Sequence, residues 1–470
     1  MQFQAIYPGS LLVAAAILVL MAQSFVKGEK KLTISLIISL IGVILAIFFT
    51  FKLFGVNESF YENALRVDDF GVFLSLVALI GTALTILISA GYLKKVKSYY
   101  TEYYALILLA ACGMVFLTIS GDLITFLIGL EIMSISIYIL AGFNRESKKS
   151  NEAAMKYFIL GAFSTGFLLF GMSMVYGATG EIVISEIGKA EKSAGMLIGL
   201  GLMLVGFLFK IGAVPFQNWV PDVYEGAPTP ITAFMAAGVK TAGFAAFVRI
   251  ILIAFQNCGE EWHTILQVIA VLSMIVGNVV AISQRNIKRL LAYSSIAHTG
   301  YMLLAFAAAK SDPNMASSSI LFYLFTYTFT VIGAFGILIY SGRENLDDFA
   351  GFAHQKRFMG IAMTVFFFSL AGIPSTAGFM GKLFIFMTAI DQKLYWASVI
   401  GIITSMISVF YYLRVVVYLY MKPEVTRAAP LTDWNVAIAS AVSVIGVFVL
   451  GLIPQSVIQL ILTTYQSMLQ

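Results

Sequence analysis

Five residues able to carry a charge or a proton stand inside otherwise apolar stretches: Glu131, Lys210, Lys240, Lys382 and His298. A charge at the middle of a membrane-crossing helix costs about 2.5–3.5 kcal/mol on insertion scales. Glu131 and the three lysines would together cost roughly 10–14 kcal/mol, comparable to the folding stability of a whole domain. Residues kept in such places mark ion or proton paths by default. Glu131 has Leu127 and Ile135 as its neighbours at i±4, so any partner must come from another helix. One acid cannot neutralise three lysines. Desolvation disfavours an ammonium and a nearby carboxylate favours it, so lysines without a fixed partner can be tuned to bind and release a proton. Arginine cannot play that part, because it does not deprotonate in proteins. Arg249 and Arg414 lie near span ends, within snorkelling reach, and are read as structural.

Two of the lysines sit beside helix breakers. Pro215 follows Lys210 by five positions, and Pro374 precedes Lys382 by eight. A proline at 215 frees the carbonyl of Ile211. Broken spans are tolerated where the freed backbone faces protein or a water-filled cavity, and in transporters such breaks mark the binding site. Ser294, His298 and Tyr301 share a face at i, i+4 and i+7, and Tyr323, Tyr327 and Thr330 do the same on the next helix. Two polar stripes of this kind suit a hydrated relay, and they also suit ordinary hydrogen bonds between helices. Gly378, Gly381 and Lys382 resemble a phosphate loop superficially, but Thr376 and Leu383 break the match.

The elements that position these residues follow from composition. Of 470 residues, 60% are hydrophobic and 11% charged, against about 25% charged in soluble domains. A bilayer supplies the apolar solvent that such a chain needs. The pattern predicts an all-α integral membrane protein, one polytopic domain over 1–470, with about fourteen spans. They lie at 10–26, 32–51, 70–92, 103–120, 123–143, 153–177, 195–215, 229–255, 262–283, 287–308, 315–341, 358–389, 393–421 and 433–460. The first is read as a retained helix, because Lys27, Lys30 and Lys31 follow it and no basic residue precedes it.

Alternate loops, with Lys27, Lys97, Lys148, Arg285, Arg357 and Arg427 among their residues, collect eighteen Lys and Arg; the opposite loops hold six. The positive-inside rule then places both termini outside the cytoplasm, together with the acidic stretch 58–69. Trp262, Trp396 and Trp434 fall at span starts, where an aromatic belt belongs. Two cysteines, Cys112 and Cys258, and three scattered histidines exclude a disulfide framework and give no metal-ligand spacing. Tyr138-to-Phe143 parallels Tyr301-to-Phe306, and a proline-broken helix follows in each half; the expected repeats, 103–255 and 262–421, have opposite topology.

Longer motifs carry a family resemblance. The run from Ala213 to Phe234, with Pro215, Trp219, Pro221, Asp222, Tyr224, Glu225, Gly226, Pro228 and Pro230, resembles the antiporter-like subunits of respiratory complex I. With Ser369–Phe379 and Arg289–His298, it is most similar to the subunit N branch of bacterial NADH:quinone oxidoreductase. The resemblance covers essentially the whole chain. It implies fourteen helices, two inverted five-helix repeats, and broken seventh and twelfth helices. It implies a glutamate at Glu131 and lysines at Lys210, Lys240 and Lys382 as the proton-translocating set. From the residues themselves, His298 is the further relay candidate, and Glu131 is expected to approach Lys210 directly or through water. The resemblance also implies that this chain holds no cofactor. NADH, FMN, iron–sulfur clusters and quinone would belong to partner subunits of a complex in the bacterial inner membrane. The other class sharing this fold is a cation/proton antiporter subunit of a multisubunit exchanger. Sodium sites favour carboxylate or carbonyl oxygens, and a lysine-rich inventory argues against it.

Overall fold

The computed structural model describes residues 2–26, 28, 30–96, 98, 100–310, 312–424 and 433–469. Of the loop residues used to assign orientation, Lys27, Lys97 and Arg427 lie outside the described residues.

The first half comprises α1 (Tyr7–Phe25), α2 (Lys30–Phe51), α3 (Asp69–Lys95), α4 (Glu102–Thr118), α5 (Leu123–Ala141), α6 (Lys148–Thr179), the one-turn α7 (Ile184–Ile187) and α8 (Ala194–Ile211). There follow the short α9 (Trp219–Gly226), α10 (Thr229–Phe234) and α11 (Lys240–Ala254). The second half contains α12 (Gly259–Ile282), α13 (Ile287–Ala307), α14 (Pro313–Ser341), the one-turn α15 (Phe352–Gln355), α16 (Arg357–Ala371), α17 (Ala377–Asp391) and α18 (Tyr395–Met421). It ends with α19 (Trp434–Leu452) and α20 (Gln455–Leu469). Among the described residues, twelve helices are long and apolar enough to cross a membrane.

Short polar side chains start the helices by accepting a bond from an orphan amide of the first turn. Asp68 caps Gly71 N, Asp122 caps Thr125 N, Asn286 caps Arg289 N and Asp312 caps Met315 N. The Asp122 cap divides α4 from α5 within four residues, where two spans were expected to meet in a tight turn.

The expected span 433–460 is a correction. α19 stops at Leu452, Pro454 intervenes, and α20 begins as a separate helix. Pro454 has no amide to continue the ladder and its ring opposes the preceding turn.

Two antiparallel strands, β1 (Glu58–Phe60) and β2 (Leu65–Val67), form a hairpin in the α2–α3 connection. Bridges from Leu65 to Ser120 and from Asp122 to Val183 gather it with the α4–α5 and α6–α8 connections on one end of the bundle. The start of α6, helix α9 and the start of α13 meet at the other end, where Lys149 and Arg289 reach Glu225.

Burial sorts the helices. The apolar windows of α10–α11, α13 and α14 are 94% buried, whereas those of α6 and α18 are 33% buried. Lys240 and His298 therefore ride on central helices that present nearly every face to protein, and α6 and α18 face outward. Trp262 departs from its expected place in an aromatic belt: it is buried and stacks on Phe306, because α12 turns its first residues against α13.

Candidate functional site

Both broken helices end in the same way. α8 stops at Ile211 and Gly212 takes φ +73°; α16 stops at Ala371 and Gly372 takes φ +84°. Each then closes a Schellman motif. Ala213 N donates to Leu208 O (2.9 Å) and Gly212 N to Phe209 O (3.1 Å); Ile373 N donates to Phe368 O (3.0 Å) and Gly372 N to Ser369 O (3.1 Å). A helix end leaves carbonyls without intrahelical partners and carries partial negative charge. These two ends lie inside the protein, and buried lysines gather around them.

Lys382 stands on α17 but reaches back over the break to the end of α16. Its Nζ donates to Leu370 O (2.9 Å), Ala371 O (3.1 Å) and Ser405 Oγ (3.0 Å). Lys240 donates to Ser295 O (2.8 Å), to Ser295 Oγ and to Thr299 Oγ1 (2.9 Å). Thr299 Oγ1 donates in turn to Ile211 O (2.9 Å), the carbonyl that the sequence left without a helical partner. Lys240 opens α11 directly after a π-helical segment, Met235–Val239, a distortion frequent at functional positions. Lys210 donates to Ser134 Oγ (2.6 Å) and lies over the rings of Tyr138 and Tyr157 at 5.7 and 5.8 Å.

All three ammonium groups are buried, and none has a carboxylate within 4.0 Å among the described residues. Their acceptors are hydroxyls, carbonyls and aromatic faces. A hydroxyl can rotate to accept from an ammonium or to donate to an amine. These pockets can therefore hold a lysine before and after it gives up a proton.

Glu131 and Lys210, expected to approach directly or through water, make no direct pair among the described residues. Glu131 Oε1 accepts from Thr165 Oγ1 on α6 (2.9 Å), while Ser134, less than one turn further along α5, takes the ammonium. Positions three apart on a helix are neighbours, so the carboxylate stays near the site without touching the lysine. A narrow void lined by Lys210, Ile211, Trp219, Tyr224, Lys240 and Ser295 holds about 10 Å³, close to the minimum for one water.

His298 joins the halves. Its Nδ1 bonds the Tyr323 hydroxyl, and its Nε2 lies 3.1 Å from the Tyr412 hydroxyl, which is 2.5 Å from Ser294 Oγ. The Tyr327 ring lies 5.0 Å from the imidazole and 5.7 Å from Lys240 Nζ. On the other flank, Tyr301 lies 5.8 Å from His298 and 5.3 Å from Lys382 Nζ. Asn278 fixes Tyr301 and Tyr411 through its amide (3.0 and 2.9 Å). The two stripes read from α13 and α14 thus meet, but a third from α18, carrying Ser405 and Tyr412, completes the connection. Its signal was the seven-residue spacing of those two polar residues in an uncharged part of the span.

The two arginines read as snorkelling behave differently. Arg249 is buried and forms a bidentate pair with Asp68 (2.6 and 2.7 Å), with a third bond to Thr118 O (3.1 Å). Its side chain turns inward because the N-cap of α3 offers a buried carboxylate. Arg414 caps the end of α12, donating to Ile282 O and Gln284 O (both 2.7 Å).

Comparison with known proteins follows this geometry. A family described as NADH:quinone oxidoreductase/Mrp antiporter, TM, matches residues 120–408, which include Glu131, Lys210, Lys240, His298 and Lys382. NADH-quinone oxidoreductase subunit N of Trichlorobacter lovleyi is 44% identical, over 97% of this chain and 95% of its own length. A chain of respiratory complex I from Thermus thermophilus is 33% identical with a TM-score of 0.82, covering 96% of this chain and 98% of that one. A chain of the Mrp complex from Dietzia is 19% identical with a TM-score of 0.84, a likeness of fold alone. The chain therefore belongs to the family of NADH:quinone oxidoreductase and Mrp antiporter membrane subunits.

Proposed function

We propose that the chain is a proton-translocating subunit in the membrane arm of an NADH:quinone oxidoreductase, where it couples quinone reduction elsewhere in the complex to proton movement. The observation carrying this reading is a buried axis of three lysines held by neutral, largely reorientable groups and linked through His298. Lys240 is the central carrier, Glu131 modulates Lys210 from across the α5–α8 contact at Ser134, and Lys382 is the exit group. His298 passes protons between Lys240 and Lys382, with Tyr327 on the Lys240 side, Tyr301 on the Lys382 side and Tyr323 and Tyr412 at its ring nitrogens. Each transfer moves a proton from an ammonium, hydroxyl or imidazolium to the next acceptor, His298 accepting at one ring nitrogen and releasing at the other, and hydroxyl and ring reorientation reset the link.

NADH, FMN, iron–sulfur clusters and quinone belong to partner subunits in this reading; the chain supplies proton chemistry to the complex. It sits in a bacterial inner membrane with both termini non-cytoplasmic. α4 and the α16–α17 pair are taken as crossings, for fourteen in all. The matched Schellman ends of α8 and α16 support two inverted repeats, 103–255 and 262–421.

Lys240→Arg keeps the charge and removes the titratable proton. Both Lys240→Arg and Lys240→Ala should depress NADH-driven proton pumping by the complex in reconstituted vesicles, with assembly verified on native gels. Normal pumping by an assembled Lys240→Ala complex removes the carrier role.

A further inference from the structure

A layer of aromatic rings crosses the first half of the bundle on one side of the lysine axis. Phe126 on α5 packs on Phe207 of α8 (centroids 5.4 Å), Phe207 on Phe247 of α11 (5.2 Å), and Phe247 on Phe306 of α13 (4.9 Å). Trp262 of α12 stacks on Phe306 (5.6 Å), and all five side chains are buried.

Each of the four phenylalanines lies on the hairpin side of the polar residue on its own helix. α5 and α8 begin near the hairpin, and Phe126 and Phe207 precede Glu131 and Lys210. α11 and α13 run toward that end, and Phe247 and Phe306 follow Lys240 and His298. Phe247 shares the face of Lys240 at i+7, so its ring joins the layer about 10 Å along the helix from the lysine.

Behind the layer, a cavity of about 420 Å³ on the hairpin side is lined by Arg66, Ser120, Glu186, Lys189, Arg249 and Gln256. Its lining mixes these polar groups with Val183, Ile184, Ile253 and Met468, and it is large enough for several waters. Arg249 lies on the same helix as Lys240, nine residues away, or roughly 13 Å along the axis. Beyond Lys382, α17 also carries aromatic contacts, Phe384 on Phe322 (5.3 Å) and Phe386 on Tyr301 (5.9 Å), but Thr388 there bonds Ser319 (2.7 Å). A water chain needs polar partners along its length, and an apolar constriction excludes it by dewetting.

We propose that this aromatic layer, with Phe247 at its centre, is the proton insulator of the first half. It keeps water in the hairpin-side vestibule from Lys210 and Lys240, so a proton on Lys240 leaves through His298 and Lys382. The inference rests on the carrier reading of Lys240.

The test uses the intact complex in vesicles, with an imposed pH gradient and no NADH. Phe247→Ser adds a hydroxyl and opens space; it should increase passive proton leak severalfold and lower the protons moved per NADH, while electron transfer to quinone persists. Phe247→Leu, still apolar, should remain tight. Adding Lys240→Ala to Phe247→Ser should return the leak to the parental level, because the breach is reached through Lys240. An assembled Phe247→Ser complex as tight as the parent overturns the proposal, as does a leak that survives in the double variant. If Phe247→Ser fails to assemble, Phe207→Ser on α8 is measured in the same way, and tightness there overturns it equally. Lys240→Ala alone separates the two readings. Normal pumping removes the carrier, whereas lost pumping beside a tight Phe247→Ser complex removes the insulator alone.

Discussion

At the scale of single residues, the molecule treats its buried cations in two ways. Arg249 meets a carboxylate in bidentate geometry, and both side chains are almost wholly buried, at 1% and 0% exposure. Lys210, Lys240 and Lys382 meet hydroxyls, carbonyls and rings instead. The first arrangement fixes a charge; the second leaves room for its removal. Removing one partner from a buried ion pair costs about 3–5 kcal/mol, because the other charge stays uncompensated. Asp68→Asn should therefore lower the thermal stability of the purified complex markedly, and Asp68→Leu with Arg249→Met should recover most of the loss. A thermal melt of Asp68→Asn indistinguishable from the parent would show that the pair contributes little.

Among the elements, α9 has the most charged surroundings. It lies between the spans Ala194–Ile211 and Thr229–Ala254. Asp222 binds Lys156 (2.8 Å) and Arg289 (2.7 Å), and Glu225 binds Lys149 (2.8 Å) and Arg289 (3.1 Å). Lys288 donates to Glu225 O and Ala227 O at its C-terminal end (both 2.7 Å). Burial alone raises the Asp222 and Glu225 carboxyls, but hydrogen bonds from these cations outweigh it and hold both below their ordinary values. Carboxyls lowered on folding stabilise the docked helix above the ordinary carboxylate range, and the contribution fades as pH falls through their lowered values. α9 should thus stay docked at neutral pH and loosen only in acid below about pH 4. Fluorescence of Trp219, buried and stacked on Tyr157, reads this directly once the other tryptophans are replaced by phenylalanine. Loosening that begins near pH 6 would implicate a different group.

For the whole molecule, the orientation is testable without reference to mechanism. The positive-inside rule puts the hairpin end outside the cytoplasm and the α6 start inside. In a background without Cys112 and Cys258, an impermeant thiol reagent applied from outside should label a cysteine placed near position 60 and spare one at position 148. Labelling at 148 would invert the orientation and, with it, the direction assigned to Lys382.

Much of this was legible in the sequence, for a physical reason. Apolar length sets the spans, because the bilayer has one thickness and unsatisfied backbone cannot cross it. The cost of a buried charge made Glu131 and the three lysines conspicuous, and proline chemistry located both helix breaks. What the sequence could not settle was which neighbour satisfies each charge. Ser295, Thr299, Ser134 and Ser405 are ordinary residues on apolar helices until the bundle brings them to an ammonium. Glu131 and Lys210 are 79 positions apart, and Ser134 takes the place expected for the carboxylate. Asp68 read only as one acid of the stretch 58–69 until α3 and α11 packed together and buried it against Arg249. The aromatic layer draws one ring from each of five helices, so no local pattern reveals it. Local chemistry and the membrane determine elements and candidates; partners are decided by helix packing, which depends on contacts far apart in the chain.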